Sequence, residues 1–320
     1  MKRIAVLTSG GDAPGMNAAI RAVVRSAHYH HIEVYGVERG YAGLIEGDMR
    51  PLARRDVSDI IQRGGTILRT ARSPEFNTYE GRQKAAEALA AREIEGLVVV
   101  GGDGSFRGAK DFYHDFGVKT IGVPGTIDND LGYTDRTIGF DTAVNTVLAA
   151  INNLRDTMSS HDRVVIVQVM GRRCGLIALH AGIAGGAEVI LVPERAVDYD
   201  DVAQVLCRGQ AVGKRSGIVV LAEGAAPVED VERELKTRTD LSFRTTVLGY
   251  IQRGGSPSME DRVLASRLAI RAVELLRDGI GGNVVGVKGG EVIDLPIDEA
   301  LAIRPRFDDA LFDQAKMLSL

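Results

Sequence analysis

The 320-residue chain is 45% hydrophobic and 26% charged, a globular composition long enough for two ordinary domains and unlike that of a disordered or coiled-coil protein. A net charge of -4 and the lack of any long Lys/Arg block argue against a nucleic-acid partner. Cys174 and Cys207 give no disulfide framework, the apolar run Ile4–Leu7 is too short for a signal segment, and no stretch reaches transmembrane length; a cytoplasmic location with no membrane partner is expected.

In chain order, short β-branched runs predict strands at Ile4–Leu7, Glu33–Val37, Leu97–Val100, Thr120–Val123, Val164–Val169, Val189–Val192 and Ile218–Leu221. Helical patterns lie between most of them, at Asn17–His28, Glu80–Arg92, Thr142–Met158, Asp200–Val212 and Ser258–Arg277. Strand and helix alternating at this spacing predict an α/β fold, a largely parallel sheet covered by helices on both sides. A change of domain is expected near Ile138–Asp141 and a return near Gln252–Pro257, where Gly254-Gly255-Ser256-Pro257 interrupts the pattern before the last helix.

Ligands of such sheets bind beyond the carboxyl ends of the strands. Gly10–Gly15, Gly101–Ser105, Pro124–Asp130 and Met170–Gly175 all follow strands directly, so four loops are expected on one rim. No Walker-type phosphate loop, dinucleotide fingerprint or protein-kinase signature occurs. The loop Gly101-Gly102-Asp103-Gly104-Ser105 has small residues that admit a phosphate chain and one carboxylate for magnesium, although Asp103 could equally cap a following helix. In Thr126-Ile127-Asp128-Asn129-Asp130, one aspartate can accept a proton from an attacking hydroxyl while the other orients metal. Phosphoryl transfer also needs cations, and Arg72, Arg163, Arg172, Arg244 and Arg253 lie close to predicted strand ends or glycine-rich loops.

These two motifs, with Met170-Gly171-Arg172 and Gly249-Tyr250-Ile251-Gln252-Arg253-Gly254-Gly255-Ser256-Pro257, resemble the bacterial ATP-dependent 6-phosphofructokinases from Ile4 to beyond Ser266. The resemblance implies two Rossmann-like three-layer α/β/α domains with mainly parallel sheets. Residues 1–138 plus 252–305 would form the larger, ATP-binding domain, and 139–251 plus 306–320 the smaller, fructose 6-phosphate-binding one. It implies a glycolytic kinase in which Asp128 is the base for the sugar C1 hydroxyl, Asp130 a second catalytic carboxylate, and Asp103 the ligand of Mg2+. Thr126 and Arg172 would flank the γ-phosphoryl group of ATP, and Gly11, Arg72, Ser73, Gly102, Asp103, Gly104 and Ser105 would hold the nucleotide. Arg163, Met170, Gly171, Glu223, Arg244, Tyr250 and Arg253 would line the sugar phosphate pocket together with Thr126, Asp128 and Arg172. Arg163 and Arg244 come from a neighbouring subunit in this family, so a homotetramer is implied. Relatives that use pyrophosphate have Asp and Lys at the positions of Gly104 and Gly125; both are glycine here, which favours ATP over the pyrophosphate alternative.

An effector site for ADP or phosphoenolpyruvate is implied at Arg21, Arg25, Arg54, Asp59, Arg155, Gly186, Glu188, Lys214 and Arg215. Arg21 and Arg25 share a helix face, which taken alone is also the pattern of a solvated basic stripe. Departures from the family pattern are Tyr250 in place of histidine, Asn77 in place of a basic residue, Val212 in place of lysine and Arg55 in place of an aromatic residue. The last two predict an altered effector response. From another class, a non-catalytic nucleotide sensor remains open, although it would have no chemical need for Asp103, Thr126, Asp128 and Arg172 together.

Overall fold

The computed structural model describes residues 1–158, 163–214 and 216–318. Twelve strands occur among them: β1 (Arg3–Thr8), β2 (Glu33–Val37), β3 (Met49–Pro51), β4 (Gly96–Gly101), β5 (Lys119–Thr126), β6 (Ile138–Gly139), β7 (Val164–Val169), β8 (Val189–Leu191), β9 (Gly217–Ala222), β10 (Phe243–Val247), β11 (Asn283–Lys288) and β12 (Glu291–Pro296). All seven predicted strands are present. The chain divides into two compact units, Met1–Thr142 with Arg253–Pro305 and Ala143–Gln252 with Arg306–Leu320.

The first unit holds a sheet of order β12-β11-β5-β4-β1-β2-β3, with β6 paired to β5. Its inner strands β2, β1, β4, β5 and β11 run parallel, while β3 and β12 are antiparallel at the edges. Continuous apolar runs arise because both faces are covered. Ala5, Leu7, Leu97 and Val99 pack with Leu44, Leu89, Phe106 and Phe112 on one side. The alternate residues Ile4, Val6, Val98 and Val100 are equally buried, on the side where the helices Met16–Tyr29 and Met259–Arg277 pack together. A strand whose successive side chains are all inaccessible to water needs helices on both faces, which makes this unit a three-layer sandwich.

The second unit repeats the plan on a smaller scale, with an all-parallel sheet of order β10-β7-β9-β8. Val164, Ile166, Val219 and Leu221 pack with Val202, Leu206, Val231 and Leu235 from the helices Tyr199–Ala211 and Val228–Arg238. Val165, Val167, Ile218 and Val220 are buried on the opposite face, and the helix Leu176–Ala184 packs against β8 and β9. Because the chain builds two sheets, the expectation of four loops on one rim is corrected. Gly10–Gly15, Gly101–Ser105 and the segment after β5 belong to the first sheet, whereas Met170–Gly175 follows β7 of the second.

Candidate active site

In the first sheet β1 lies between β4 and β2, so the connections leaving β1 and β4 diverge and open a crevice beyond their carboxyl ends. The two strand ends are tied by the Ser9 N–H donating to the Val100 carbonyl at 2.9 Å. Space there is tight: a Cβ on Gly101 would lie 2.5 Å from Ser105 Oγ and 2.7 Å from the Ser9 carbonyl oxygen. The helix Asp103–Phe116 begins immediately afterwards, with Gly102 as an N-cap that offers no side-chain acceptor. Asp103 is therefore the first helical residue and not the cap. An N-terminus without a side-chain cap suits anionic oxygens.

A cavity of about 520 Å³ opens at this crevice. It is lined by Ser9, Gly10, Gly11, Arg72, Ser73, Gly102, Asp103, Gly104, Ser105, Gly125, Thr126, Asp128, Asp130 and Arg253, with Tyr41, Phe76 and Asn77. Every residue expected to hold nucleotide thus faces the same cavity as Thr126 and the two aspartates that follow it. Arg253 lies directly over Gly11: a Cβ there would come within 2.0 Å of the guanidinium, whose Nη1 donates to the Asp12 carbonyl at 3.3 Å.

Asp103 is held by a two-point ion pair from Arg107, Nε to Oδ2 at 2.9 Å and Nη2 to Oδ1 at 3.1 Å, and the carboxylate in turn raises the Arg107 pKa. The Asp128 N–H donates to Thr126 Oγ1 at 3.2 Å, and the Thr126 carbonyl accepts from Thr137 Oγ1 at 2.7 Å. Between the aspartates, Asn129 adopts φ 52° and donates through Nδ2 to the Asp135 carbonyl at 3.1 Å. Its Oδ1 is buried without a hydrogen-bond partner. The sequence reading gave Asn129 no role.

Magnesium takes oxygen donors, keeps several waters and draws most of its remaining ligands from substrate phosphates. Among the described residues no cluster of three or more His, Cys, Asp or Glu side chains forms a closed metal cage. The cavity instead presents carboxylates from Asp103, Asp128 and Asp130, a donor set that fits such a loosely held ion. Tyr41 and Phe76 also line the cavity, although the sequence gave no signal for either. Their rings stack with centroids 3.9 Å apart, and the Tyr41 hydroxyl donates to the Ser105 carbonyl at 2.6 Å. Burial pushes that hydroxyl's pKa upward, so it remains a neutral donor.

In the second unit, Met170 and Gly171 follow β7, and Glu223 follows β9 at the adjacent strand end. Gly171 has φ 133° and its carbonyl accepts the Gly224 N–H at 3.2 Å, which joins the two loops; Arg172 and Glu223 are exposed. Gln252, fully buried, accepts the Met170 N–H at 3.1 Å and so ties the turn Gly249–Arg253 to this rim, leaving Tyr250 84% exposed. Arg163 and Arg244 are elsewhere. Arg163 precedes β7 and Arg244 pairs with Val165 at that strand's start, roughly 20 Å from Met170 at about 3.3 Å per residue.

The expected effector residues fall into two groups. In the first unit, Arg21 and Arg25 share the helix Met16–Tyr29; desolvation and then the Arg25 charge lower the Arg21 pKa. Arg54 and Asp59 are exposed in the segment after β3. In the second unit, Arg155 donates to the Gly185 and Gly186 carbonyls, and Lys214 Nζ pairs with the buried Glu188 at 2.6 Å. Arg215 lies outside the described residues. No helix among the described residues is long and apolar enough to cross a membrane.

Residues 3–276 match the family described as Phosphofructokinase. A protein of Clostridium tetani (strain Massachusetts / E88) named ATP-dependent 6-phosphofructokinase is 57% identical over 319 residues, 100% of each chain. One of the same name from Clostridioides difficile (strain 630) is 58% identical over 320 residues, again 100% of each. The structure of phosphofructokinase from Saccharomyces cerevisiae superposes with a TM-score of 0.94 at 35% identity, over 98% of this chain and 50% of that one, so this chain spans about half the yeast chain. A pyrophosphate-dependent phosphofructokinase from Marinobacter aquaeolei shares the fold, with a TM-score of 0.85 at 23% identity over 96% of this chain and 86% of its own. With most of its length inside the family match and full-length relatives above half identity, this chain is an α/β enzyme of the phosphofructokinase family.

Proposed function

We propose that the chain transfers the γ-phosphoryl group of ATP to the C1 hydroxyl of fructose 6-phosphate, giving fructose 1,6-bisphosphate and ADP. The observation that carries this reading is the single cavity that collects Gly11, Arg72, Ser73 and Gly102 to Ser105 together with Thr126, Asp128, Asp130 and Arg253. The glycines and the helix N-terminus admit the phosphate chain, and Arg72 and Arg253 supply charge of the opposite sign. Asp128 accepts the hydroxyl proton as the C1 oxygen attacks phosphorus and the bond to the ADP oxygen breaks. Thr126 orients the transferred group, and Asp130 is the second catalytic carboxylate. Arg172 stabilises charge developing on that group. Magnesium neutralises phosphate charge when bound with the nucleotide, and Asp103 is the residue that would hold it.

Met170, Gly171, Glu223 and Tyr250 take the sugar phosphate, with Arg163 and Arg244 supplied by a neighbouring chain of a homotetramer. Their position at the far end of β7 supports this assignment, since they are remote from the rim of their own sheet. Open space above Gly104, where a Cβ would meet nothing within 4 Å, favours a nucleotide over a smaller donor. Arg21, Arg25, Arg54 and Asp59 in the first unit, and Arg155, Gly186, Glu188 and Lys214 in the second, are read as contributors to anion effector binding between subunits, with altered response to ADP or phosphoenolpyruvate. A cytoplasmic, glycolytic role follows from the same reading. A coupled assay of fructose 6-phosphate with ATP, then with pyrophosphate, tests it: turnover with ATP alone is expected. Turnover with pyrophosphate alone, or with neither donor, refutes the assignment.

A further inference from the structure

Asp261 lies in the helix Met259–Arg277, is 1% exposed, and stands outside every motif assigned to the transfer site. An unpaired buried carboxylate is costly, so its partners reveal what it holds. Oδ1 accepts the Gly139 N–H at 2.8 Å; Oδ2 accepts the Thr142 N–H at 2.8 Å and the Thr142 hydroxyl. The Thr142 hydroxyl oxygen in turn accepts the Ser258 N–H at 2.9 Å, and Ser258 Oγ caps the Asp261 N–H at 3.2 Å. The carboxylate therefore satisfies the first turn of the helix Phe140–Met158 from a segment 119 residues away in sequence.

Gly139 links this carboxylate to the reacting end of the cavity. It pairs with Thr126 across β6 and β5, and the preceding Thr137 hydroxyl holds the Thr126 carbonyl. Its φ is 107°, and a Cβ there would meet Ala13 at 2.7 Å and Ile127 at 3.3 Å, so its backbone is wedged between the loop after β1 and the segment bearing Asp128. Gly15 of that same loop abuts Asp261 itself, an added Cβ lying 3.6 Å from the Asp261 Cβ. The geometry points to Asp261 as a positioning residue of the transfer site, whose carboxylate fixes Gly139 and thereby sets Thr126 and Asp128 against the phosphate loops. This inference rests on the proposed kinase reading. Burial raises the Asp261 pKa, and the hydrogen bonds donated to it by Thr142 and Gly139 oppose that rise.

Asn is nearly isosteric but replaces one acceptor by an NH2 donor, so Asp261→Asn must lose either the Gly139 or the Thr142 bond. Displacements of about 1 Å at a reacting group cost up to roughly 100-fold in rate. For folded D261N we expect kcat lowered about 30-fold with KM for ATP within about twofold, because the nucleotide contacts are kept. Hydrogen exchange of the peptide covering 124–131 should quicken at the same time. A helix cap alone would lower the melting temperature and leave kcat and that exchange at wild-type values below the transition; this result overturns the proposal. Should D261N fail to fold, Thr142→Val, which replaces the hydroxyl by a methyl and so ends its bonds to Asp261 and Ser258, decides: a severalfold lower kcat at unchanged KM for ATP supports positioning, and wild-type kcat overturns it. If the wild-type chain itself turns over no fructose 6-phosphate, the functional reading fails separately, and the exchange of 124–131 alone judges the role of Asp261.

Discussion

Asp128 and Asp103 face one cavity from different backbone settings, which suits them to the different roles proposed for them. Asp128 follows the end of β5 in a turn closed by the Thr126 hydroxyl, whereas Asp103 opens a helix and is engaged by Arg107. For Asp128→Asn we expect kcat to fall by about a thousandfold with KM for ATP unchanged within about twofold, as removal of a general base affects only the transition state. Steady-state kinetics decide the point, and near-normal turnover would remove Asp128 from that role. Gly104 separates donor choice from stability. Its Cβ position is open, and an acid in the first helical turn is favoured by about 0.3–1 kcal/mol. Gly104→Asp should therefore melt at or slightly above the wild-type temperature while KM for ATP rises at least about tenfold through repulsion of the phosphates.

The central strands and longest helices were legible because each obeys one strong local rule. β4 is buried at every residue and reads as an unbroken apolar run, and the pattern at Ser258–Arg277 matches the helix Met259–Arg277, which Ser258 caps through the Asp261 N–H. The helix Asp103–Phe116 entered only as a segment that Asp103 could cap and not among the predicted helical patterns, because Gly104 and Gly108 weaken its propensity and the motif at its start looks like a loop. Leu176–Ala184 carries almost no amphipathic pattern because several of its faces are buried, and β12 is a half-exposed edge strand. The motif loops were readable from residue type; the Asp261 contacts were not, since they join segments distant in sequence. Nor did sequence give the stack of Tyr41 on Phe76, which joins the helix Gly40–Glu46 and the turn Pro74–Asn77 to Ser105. Tyr41→Phe keeps the stack but strips the Ser105 carbonyl of its donor. A loss of about 1 kcal/mol is expected from the shift in urea midpoint, with the ring contact preserved.

At the scale of the whole molecule, each unit satisfies its own core, yet the chemistry assigned to the chain draws on arginines set at the wrong end of a strand. Arg163 and Arg244 lie side by side where β7 and β10 begin, while Met170, Arg172 and Glu223 occupy the opposite rim of that sheet. A β-strand does not bend back on itself, and side chains reach far less than the roughly 20 Å involved. Under the proposed function, these arginines would serve a neighbouring chain's sugar phosphate. Asp128→Asn and Arg163→Ala chains test this. Each alone should be nearly inactive, the first for want of a base and the second for want of an anion contact. Dissociated, mixed in equal amounts and reassociated, they should recover about one quarter of wild-type activity, because an intact Asp128 and an intact neighbouring Arg163 meet by chance in that share of sites. A mixture no more active than its components would place both functions in one chain and remove the shared site, and with it the need for the tetramer in catalysis.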